Sequence, residues 1–341
     1  MKTLLLTALL TTTAWHAQAA DHSHHNHADH AAHHHDAAEP YYPKHVMGTH
    51  THNPDEWMFS YRYMRMEMKG LQAGNDKISN QQAYNAGYMV APLKMTSDMH
   101  MFGAMKGLTS DFTLMAMASY IKKDMTLRNQ AGVTFATSSE GMGDTKISLI
   151  DNLTRYGFNK WTTMVTLSLP TGKTDQEANT PMGANTRLPY PMQLGSGTYD
   201  ITPAVTYQCN CKGFDYGAQA YATFRINDNE EDYRLGNQFG FKAWVGKNFT
   251  DSLAAGATFN WTTQNNLSGE DDNLNPNMVV TADKRNTGYD LASLTLDVAY
   301  KPAVLNGLEL VSSYEEPIYQ DVNGIQMHRQ RTFSLGLRKT F

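Results

Sequence analysis

The chain ends in "RTFSLGLRKTF", residues 331–341, and the order of side chains in this stretch decides the fold. Successive side chains of a β-strand point to opposite faces, so the stretch has one apolar face and one small or polar face. These faces are Phe333, Leu335, Leu337 and Phe341 against Thr332, Ser334, Gly336 and Arg338. A strand of this kind that ends in an aromatic residue is typical of the closing strand of a membrane β-barrel. The alternative is an amphipathic strand of a soluble sandwich.

The same alternation recurs from Asp55 onward, between links that are short and long in turn. The short links are 107–111, 155–160, 210–215, 247–252 and 301–307, and the long ones are roughly 69–97, 122–143, 170–196, 227–237, 265–287 and 317–329. They separate strands predicted at 55–68, 98–107, 112–121, 144–154, 160–169, 197–209, 215–226, 238–248, 253–264, 288–300, 308–316 and 330–341. We therefore predict an all-β fold, an antiparallel transmembrane β-barrel of about 12 strands, over residues 55–341. Strand twelve must pair with strand one, because lipid tolerates no open sheet edge.

The N-terminus, "MKTLLLTALLTTTAWHAQAA", has the three parts of a secretory signal peptide. Lys2 is a positive start, 4–10 is an apolar run, and Ala17-Gln18-Ala19 is a small-x-small cleavage site, so we expect residues 1–19 to be removed. No later run of 18 apolar residues predicts a transmembrane helix. The net charge of −5 gives no footprint for nucleic acid. The expected location is the bacterial outer membrane, with the N-terminal segment in the periplasm.

Residues 20–54 are predicted to be a disordered periplasmic segment, because large aliphatic residues are nearly absent there. Eleven of the fourteen histidines lie in it. Imidazole binds Zn and Cu, and a tract without fixed geometry binds them promiscuously. The candidate ligands are His22, His24, His25, His27, His30, His33, His34 and His35. The alternative is a soluble spacer whose histidines are incidental.

Methionine is the second unusual feature: 13 of the 20 lie between Met47 and Met125. The thioether is a soft ligand that selects Cu(I). The candidates on the first three strands are Met64, Met66, Met68, Met99, His100, Met101, Met115 and Met117. Arg62 shares the face of Met64, which indicates a face toward the lumen, whereas the facing of the strand-two methionines is left open. The alternative is that these methionines only pack.

The remaining reactive residues are few. Cys209 and Cys211 are interpreted either as a thiolate metal pair or as a pair without metal, which is a chance occurrence at the end of a turn or a strained disulfide; the second interpretation is favoured. His100 and His328 are the only histidines after residue 52, and neither has a nucleophile or carboxylate pair beside it, so no enzyme is predicted. No cofactor is expected beyond Cu(I), Cu(II) or Zn.

Three passages resemble an outer-membrane family described as "Putative MetA-pathway of phenol degradation". They are "TLSLPTGKTD" (166–175), "LGSGTYDITPAVTY" (194–207) and "PIYQDVNGIQMHRQRTFSLGLRKTF" (317–341). The resemblance implies an outer-membrane barrel that acts as a transporter, and it brings no catalytic residues. The His-rich leader and the Met-rich first strands depart from the usual pattern of the family.

The sequence thus predicts a channel or transporter for a small solute, with a transition metal, copper first, as the favoured cargo. One alternative is a channel for small aromatic or organic compounds, and another is a periplasmic metal buffer for which the barrel is only an anchor. The expected partners are outer-membrane lipid, metal ions and the barrel-assembly machinery, which would read the terminal Phe341.

Overall fold

The computed structural model describes residues 40–156 and 159–341. The predicted signal peptide and the eight candidate histidines from His22 to His35 lie outside the described residues.

The chain forms seventeen strand elements, numbered here in chain order. They are β1 (Trp57–Gly74), β2 (Asp76–Ile78), β3 (Val90–Gly107), β4 (Phe112–Asn129), β5 (Thr134–Met142), β6 (Thr145–Tyr156), β7 (Asn159–Leu169), β8 (Glu177–Thr180), β9 (Gly183–Arg187), β10 (Asp200–Cys211), β11 (Phe214–Arg225), β12 (Tyr233–Arg234), β13 (Gln238–Thr250), β14 (Leu253–Gln264), β15 (Ser268–Gly269), β16 (Tyr289–Tyr300) and β17 (Glu309–Thr340). One short helix, α1 (Asn80–Asn85), and four 3₁₀ turns (Tyr190–Met192, Val280–Ala282, Lys284–Asn286 and Ala303–Leu305) lie in the connections. No helix of the described residues is long and apolar enough to cross a membrane.

Eleven of these elements form a closed antiparallel ring, in the order β1, β3, β4, β6, β7, β10, β11, β13, β14, β16, β17 and back to β1. A ring with only antiparallel neighbours needs an even number of strand passes. The last element supplies two of them: β17 bends at Gly324, whose φ is +63°, so residues 310–322 pair with β16 and 322–340 pair with β1. The predicted closed barrel of about 12 strands is confirmed, with β5 continuing the β6 pass along the upper part of β4.

The strand ends differ from the prediction. β1, β3 and β4 each contain 18 residues and extend through parts of the predicted loops 69–97 and 122–143. Hydrogen bonding between neighbours continues past the point where the apolar alternation stops, because the sheet needs paired backbone groups whether or not lipid faces it. On the outer face of β1 the aromatic series from Trp57 ends at Arg65, whose guanidinium lies 3.2 Å from Asp98.

The ring is closed at its short-turn end by the last residue. Phe341 N donates to the carbonyl of Trp57 at 2.8 Å, and Trp57 N donates to the carbonyl of Phe341 at 3.2 Å. The Phe341 ring meets Phe59 edge-on, with 6.1 Å between centroids. Inside the barrel the two legs of β17 are joined by a hydrogen bond of 2.6 Å between Ser313 and Ser334. The final residue therefore completes the seam through its backbone and its ring.

Deleting Phe341 removes both backbone hydrogen bonds and the ring contact, so we expect the free energy of unfolding to fall by about 1–3 kcal/mol. The measurement is urea unfolding of the refolded barrel, followed by heat-modifiable gel mobility. Phe341→Ala keeps the backbone bonds and should lose less than the deletion. Equal stability of the deletion and the parent would show that residue 341 does not close the seam.

Candidate functional site: a plugged lumen with a methionine wall

The segment of residues 41–52, called the plug below, lies inside the barrel, and each of its residues is buried or half-buried. The sequence assigns this stretch to the disordered leader, and the structure corrects that boundary. Side chains of the wall donate to its carbonyls: Thr162 Oγ1 to Gly48 at 2.6 Å, Gln208 Nε2 to Thr49 at 2.6 Å and Gln219 Nε2 to Met47 at 2.7 Å. The plug is ordered by polar contacts with the wall, which composition alone does not reveal.

Tyr41 anchors the start of the plug in a socket built on two glycines. Its backbone N donates to Asp215 at 2.8 Å, and its hydroxyl donates to Asp297 at 2.5 Å. A Cβ at Gly246 would lie 2.0 Å from the Tyr41 ring, and one at Gly256 would lie 2.3 Å from its hydroxyl oxygen. Asp215, Gly246, Gly256 and Asp297 are successive register partners across β11, β13, β14 and β16. The wall is thus shaped to accept this tyrosine.

Charged and polar side chains in the middle of the plug pair with charged side chains of the wall. Lys44 Nζ lies 3.6 Å from Glu309, and Arg338 donates to Glu309 and, at 3.0 Å, to the Tyr42 hydroxyl. The His50 ring stacks on Tyr42, with 4.6 Å between centroids. Burial, with Arg338 as the next cause, holds the pKa of His50 well below its usual range. This imidazole is therefore neutral at physiological pH.

At the long-loop end, connections fold over the lumen. Lys123 Nζ donates to the carbonyls of Pro191 at 2.8 Å and Gln193 at 2.5 Å, and Ser139 Oγ donates to the carbonyl of Met192 at 2.6 Å. These bonds fix the 3₁₀ turn Tyr190–Met192 against β4 and β5.

Ion pairs and a hydrogen bond join further connections at the same end. Arg187 lies 3.3 Å from both Asp271 and Glu231, and Tyr88 OH donates to Asp283 at 2.8 Å. Burial raises the pKa of Asp283, but hydrogen bonds from Arg285 and Tyr88 outweigh it, so this pKa lies below its usual value. A charged Asp283 therefore helps to hold the loops in place at neutral pH.

A cavity of about 470 Å³, called the central cavity below, lies beneath these loops. One side is lined by methionines: Met68, Met95, Met99, Met101, Met117 and Met327. Another side is polar and charged and includes Asp144, Lys146, Asp200 and Arg225, of which Asp200 and Arg225 form an ion pair. A solute in this cavity would therefore contact soft sulfur atoms on one side and hard charged groups on another.

The methionines of β1, β3 and β4 face one another across the sheet. The register partners are Met58 with Met105, Met64 with Met99, Met68 with Met95, Met105 with Met115 and Met95 with Met125. Cross-strand partners on one face have Cβ atoms about 4.5–5.5 Å apart. The thioethers thus form a line along the inner wall, from the plug to the long-loop end, which we call the methionine wall.

The structure brings seven of the predicted candidates together on this wall: Met64, Met66, Met68, Met99, Met101, Met115 and Met117. The sequence did not decide which face of the second predicted strand points inward. Met99 and Met101 line the cavity, so their face points toward the lumen. His100 is not with them, because alternation along β3 points it outward, where its Nδ1 lies 2.8 Å from the Tyr61 hydroxyl.

Sequence reasoning did not name as candidate ligands Met47, Met58, Met95, Met105, Met125 or Met327. Met58 belongs to the same two-residue series as Met64, and Met105 to that of Met101, so that extension was readable. The contribution of Met47 depends on the folding of the plug and has no sequence signal.

Cys209 and Cys211, at the end of β10, are joined by a disulfide with Cα atoms 5.8 Å apart. This agrees with the turn-end disulfide and not with a thiolate pair. Among residues 40–156 and 159–341 there is no cluster of three or more His, Cys, Asp or Glu side chains arranged to hold a metal.

The sequence profile described as "Putative MetA-pathway of phenol degradation" matches residues 84–301, more than half of the chain. The chain belongs to this family. The family match confirms the resemblance read from residues 166–207, whereas the metal association of the N-terminal region stays a prediction. No relative was found among curated proteins.

Solved structures similar to the chain are outer-membrane barrels. An outer membrane channel from Pseudomonas putida F1 is 13% identical, with a TM-score of 0.61 over 85% of this chain and 97% of that one. The β domain of the Bordetella autotransporter BrkA is 11% identical, with a TM-score of 0.47 over 84% and 100%. The KdgM porin is 8% identical, with a TM-score of 0.41 over 83% and 99%. At these identities the likeness to the first shows the fold.

Gly256→Val should expel the plug, because the new side chain would occupy the place of the Tyr41 hydroxyl. We expect a severalfold rise in single-channel conductance in planar bilayers. Ala257→Val, one residue along β14 and facing outward, is the matched control and should leave conductance unchanged. Tyr41→Ala should reproduce the open state without altering the wall. Parent-like conductance in both Gly256→Val and Tyr41→Ala would contradict a plug seated by this socket.

Proposed function

We propose that the protein is an outer-membrane channel for a small solute, closed at rest by the plug, and that its favoured cargo is a soft transition-metal ion, copper first. The fold and the family support the channel. The choice of cargo is supported by one observation, the methionine wall that runs from the plug to the long-loop end of the lumen.

Thioether chemistry suits such a path. Sulfur lone pairs favour Cu(I) over Zn²⁺, which prefers imidazole and carboxylate. A single thioether is a weak donor, and conduction needs sites that are favourable enough to enter and weak enough to leave. Neighbouring methionines on β1, β3 and β4 would let an ion pass from one sulfur set to the next. Leucine packs as well as methionine, so packing alone does not require sulfur at every one of these positions.

The proposed orientation places the short turns and the plug on the periplasmic side. In this proposal the histidines of the predicted periplasmic segment 20–54 collect Cu(II) or Zn on that side of the membrane. Tags inserted near Asn185 or Asn275 should be accessible on intact cells, whereas tags near Ser110 or Thr250 should not. Antibody binding before and after outer-membrane permeabilisation measures this, and the reverse pattern would overturn the orientation.

A second candidate cargo is a small aromatic or organic compound, in line with the family description. Tyr190 and Tyr233, whose ring centroids are 4.9 Å apart, line the central cavity together with Lys146 and Arg225. Such a lining suits an aromatic acid. The third candidate is a metal buffer with the barrel as anchor, which the filled lumen favours. A plug-released variant that still conducts no ions would support the anchor.

Replacing Met99 and Met101 by leucine should lower the flux of Ag⁺, a redox-stable substitute for Cu(I), by roughly tenfold, since two ligand atoms are lost from the cavity. Potassium flux should not change, because leucine has a similar volume. The measurement is ion release from proteoliposomes, with every arm in a Tyr41→Ala background so that plug opening does not limit flux.

The matched control is Met89→Leu with Met182→Leu, two methionines that are 52% and 60% exposed. It should behave as the parent. An equal Ag⁺ flux in the Met99/Met101 variant would refute the soft-metal cargo. Faster transport of benzoate than of neutral sugars of similar size would instead favour the aromatic candidate.

A further inference from the structure

A small cavity of about 60 Å³ is lined by both the plug and the methionine wall. It is distinct from the central cavity, with which it shares Met101 and Met117. Six methionines line it together with one histidine: Met47 and His50 from the plug, and Met58, Met101, Met105, Met115 and Met117 from the wall. This set, called the plug–wall site below, places ligands on two separate parts of the chain.

The space exists because the wall is locally small. Ser60 and Gly103 are register partners between the methionines. A Cβ at Gly103 would lie 2.6 Å from Ser60 Oγ and 3.6 Å from Met117 Cγ. Protein interiors pack closely, and an apolar interface without a ligand is ordinarily filled. Here an unfilled space of about 60 Å³ remains among flexible methionine side chains.

His50 is the second and independent observation. The Nε2 atom of its imidazole is buried and has no hydrogen-bond partner. Its Nδ1 lies 3.4 Å from Thr49 Oγ1, a long contact. A buried polar atom without a partner costs about 1–3 kcal/mol, and a bound ion would remove that cost.

Charge limits which ion fits. Lys44, Arg62 and Arg338 also line the site. Glu309 contacts two of these cations, Lys44 and Arg338, and Arg62 donates to the Lys44 carbonyl. A divalent ion would face this positive surrounding with twice the repulsion of a monovalent one. Thioethers and the imidazole favour a soft ion. The cationic surrounding opposes any cation, but it opposes a monovalent ion less than a divalent one.

We propose that the plug–wall site binds one Cu(I), held by thioethers of Met47 and Met58 and their neighbours and by the His50 imidazole. This deepens the proposed function and rests on it for the choice of ion. Because its ligands come from both the plug and the wall, the ion binds only when the plug is seated. Binding therefore stabilises the closed channel.

The test is X-ray absorption at the copper edge on the mature full-length protein, loaded anaerobically with one equivalent of Cu(I). We expect sulfur in the first shell and, by competition with a Cu(I) chelator, an affinity that falls about tenfold or more in Met47→Leu with Met58→Leu. His50→Gln should lose a nitrogen and keep the sulfurs. Met89→Leu with Met182→Leu, and His100→Gln on the outer face, should match the parent.

A first shell of nitrogen alone in the parent would overturn the site, since it would assign the ion to the leader histidines. Unchanged affinity in the Met47/Met58 variant would also overturn it. If that variant loses heat-modifiable mobility, Met105→Leu with Met115→Leu tests the same site from the wall. Binding is measured with the plug seated and flux with it released, so loss of Cu(I) binding with normal Ag⁺ flux defeats this site and spares the channel. Normal Cu(I) binding without Ag⁺ flux would contradict the proposed channel and leave the plug–wall site supported.

Discussion

Every backbone N–H and C=O of a sheet in lipid must find its partner within the protein, and this constraint organises the molecule. It requires a closed ring, and closure depends on β17, which folds back at Gly324 so that one leg pairs with β16 and the other with β1. Twelve passes return the chain to its starting end. The backbone hydrogen bonds between Trp57 and Phe341 join the two ends of the barrel chain.

Closure of the ring encloses an inner face, and the side chains on that face need contact partners inside the lumen. The sheet buries methionines there on β1, β3 and β4, and polar or charged groups on several other strands. The plug fills the short-turn end, and the loops around Tyr190 and Asp283 fold over the other. The lumen is thus divided into compartments whose linings differ in chemistry, and the proposed passage of a solute depends on the plug leaving its socket.

The plug is held by directional contacts in addition to the apolar packing of Tyr41, Val46 and Met47. Asp215 and Asp297 bind Tyr41, and glutamines of the wall bind carbonyls of residues 47 and 49. Together these hydrogen bonds hold the plug firmly. Losing a few of them weakens its attachment, because each freed polar group can form a hydrogen bond with water instead.

Much of the structure was readable from the chain alone. The two-residue period of 331–341, the alternation of short and long links and the common face of Met64 with Arg62 determined the barrel, its strand number and the inner position of the β1 methionines, because local periodicity fixes which side chains share a face. The plug, the Tyr41 socket and the meeting of Met47 and His50 with Met58 and Met105 were decided by tertiary structure. They join residues far apart in the chain, and residues 41–52 have no period of their own. Their order comes from hydrogen bonds and from the space at Gly246 and Gly256 on strands about 200 residues away, which no local pattern encodes.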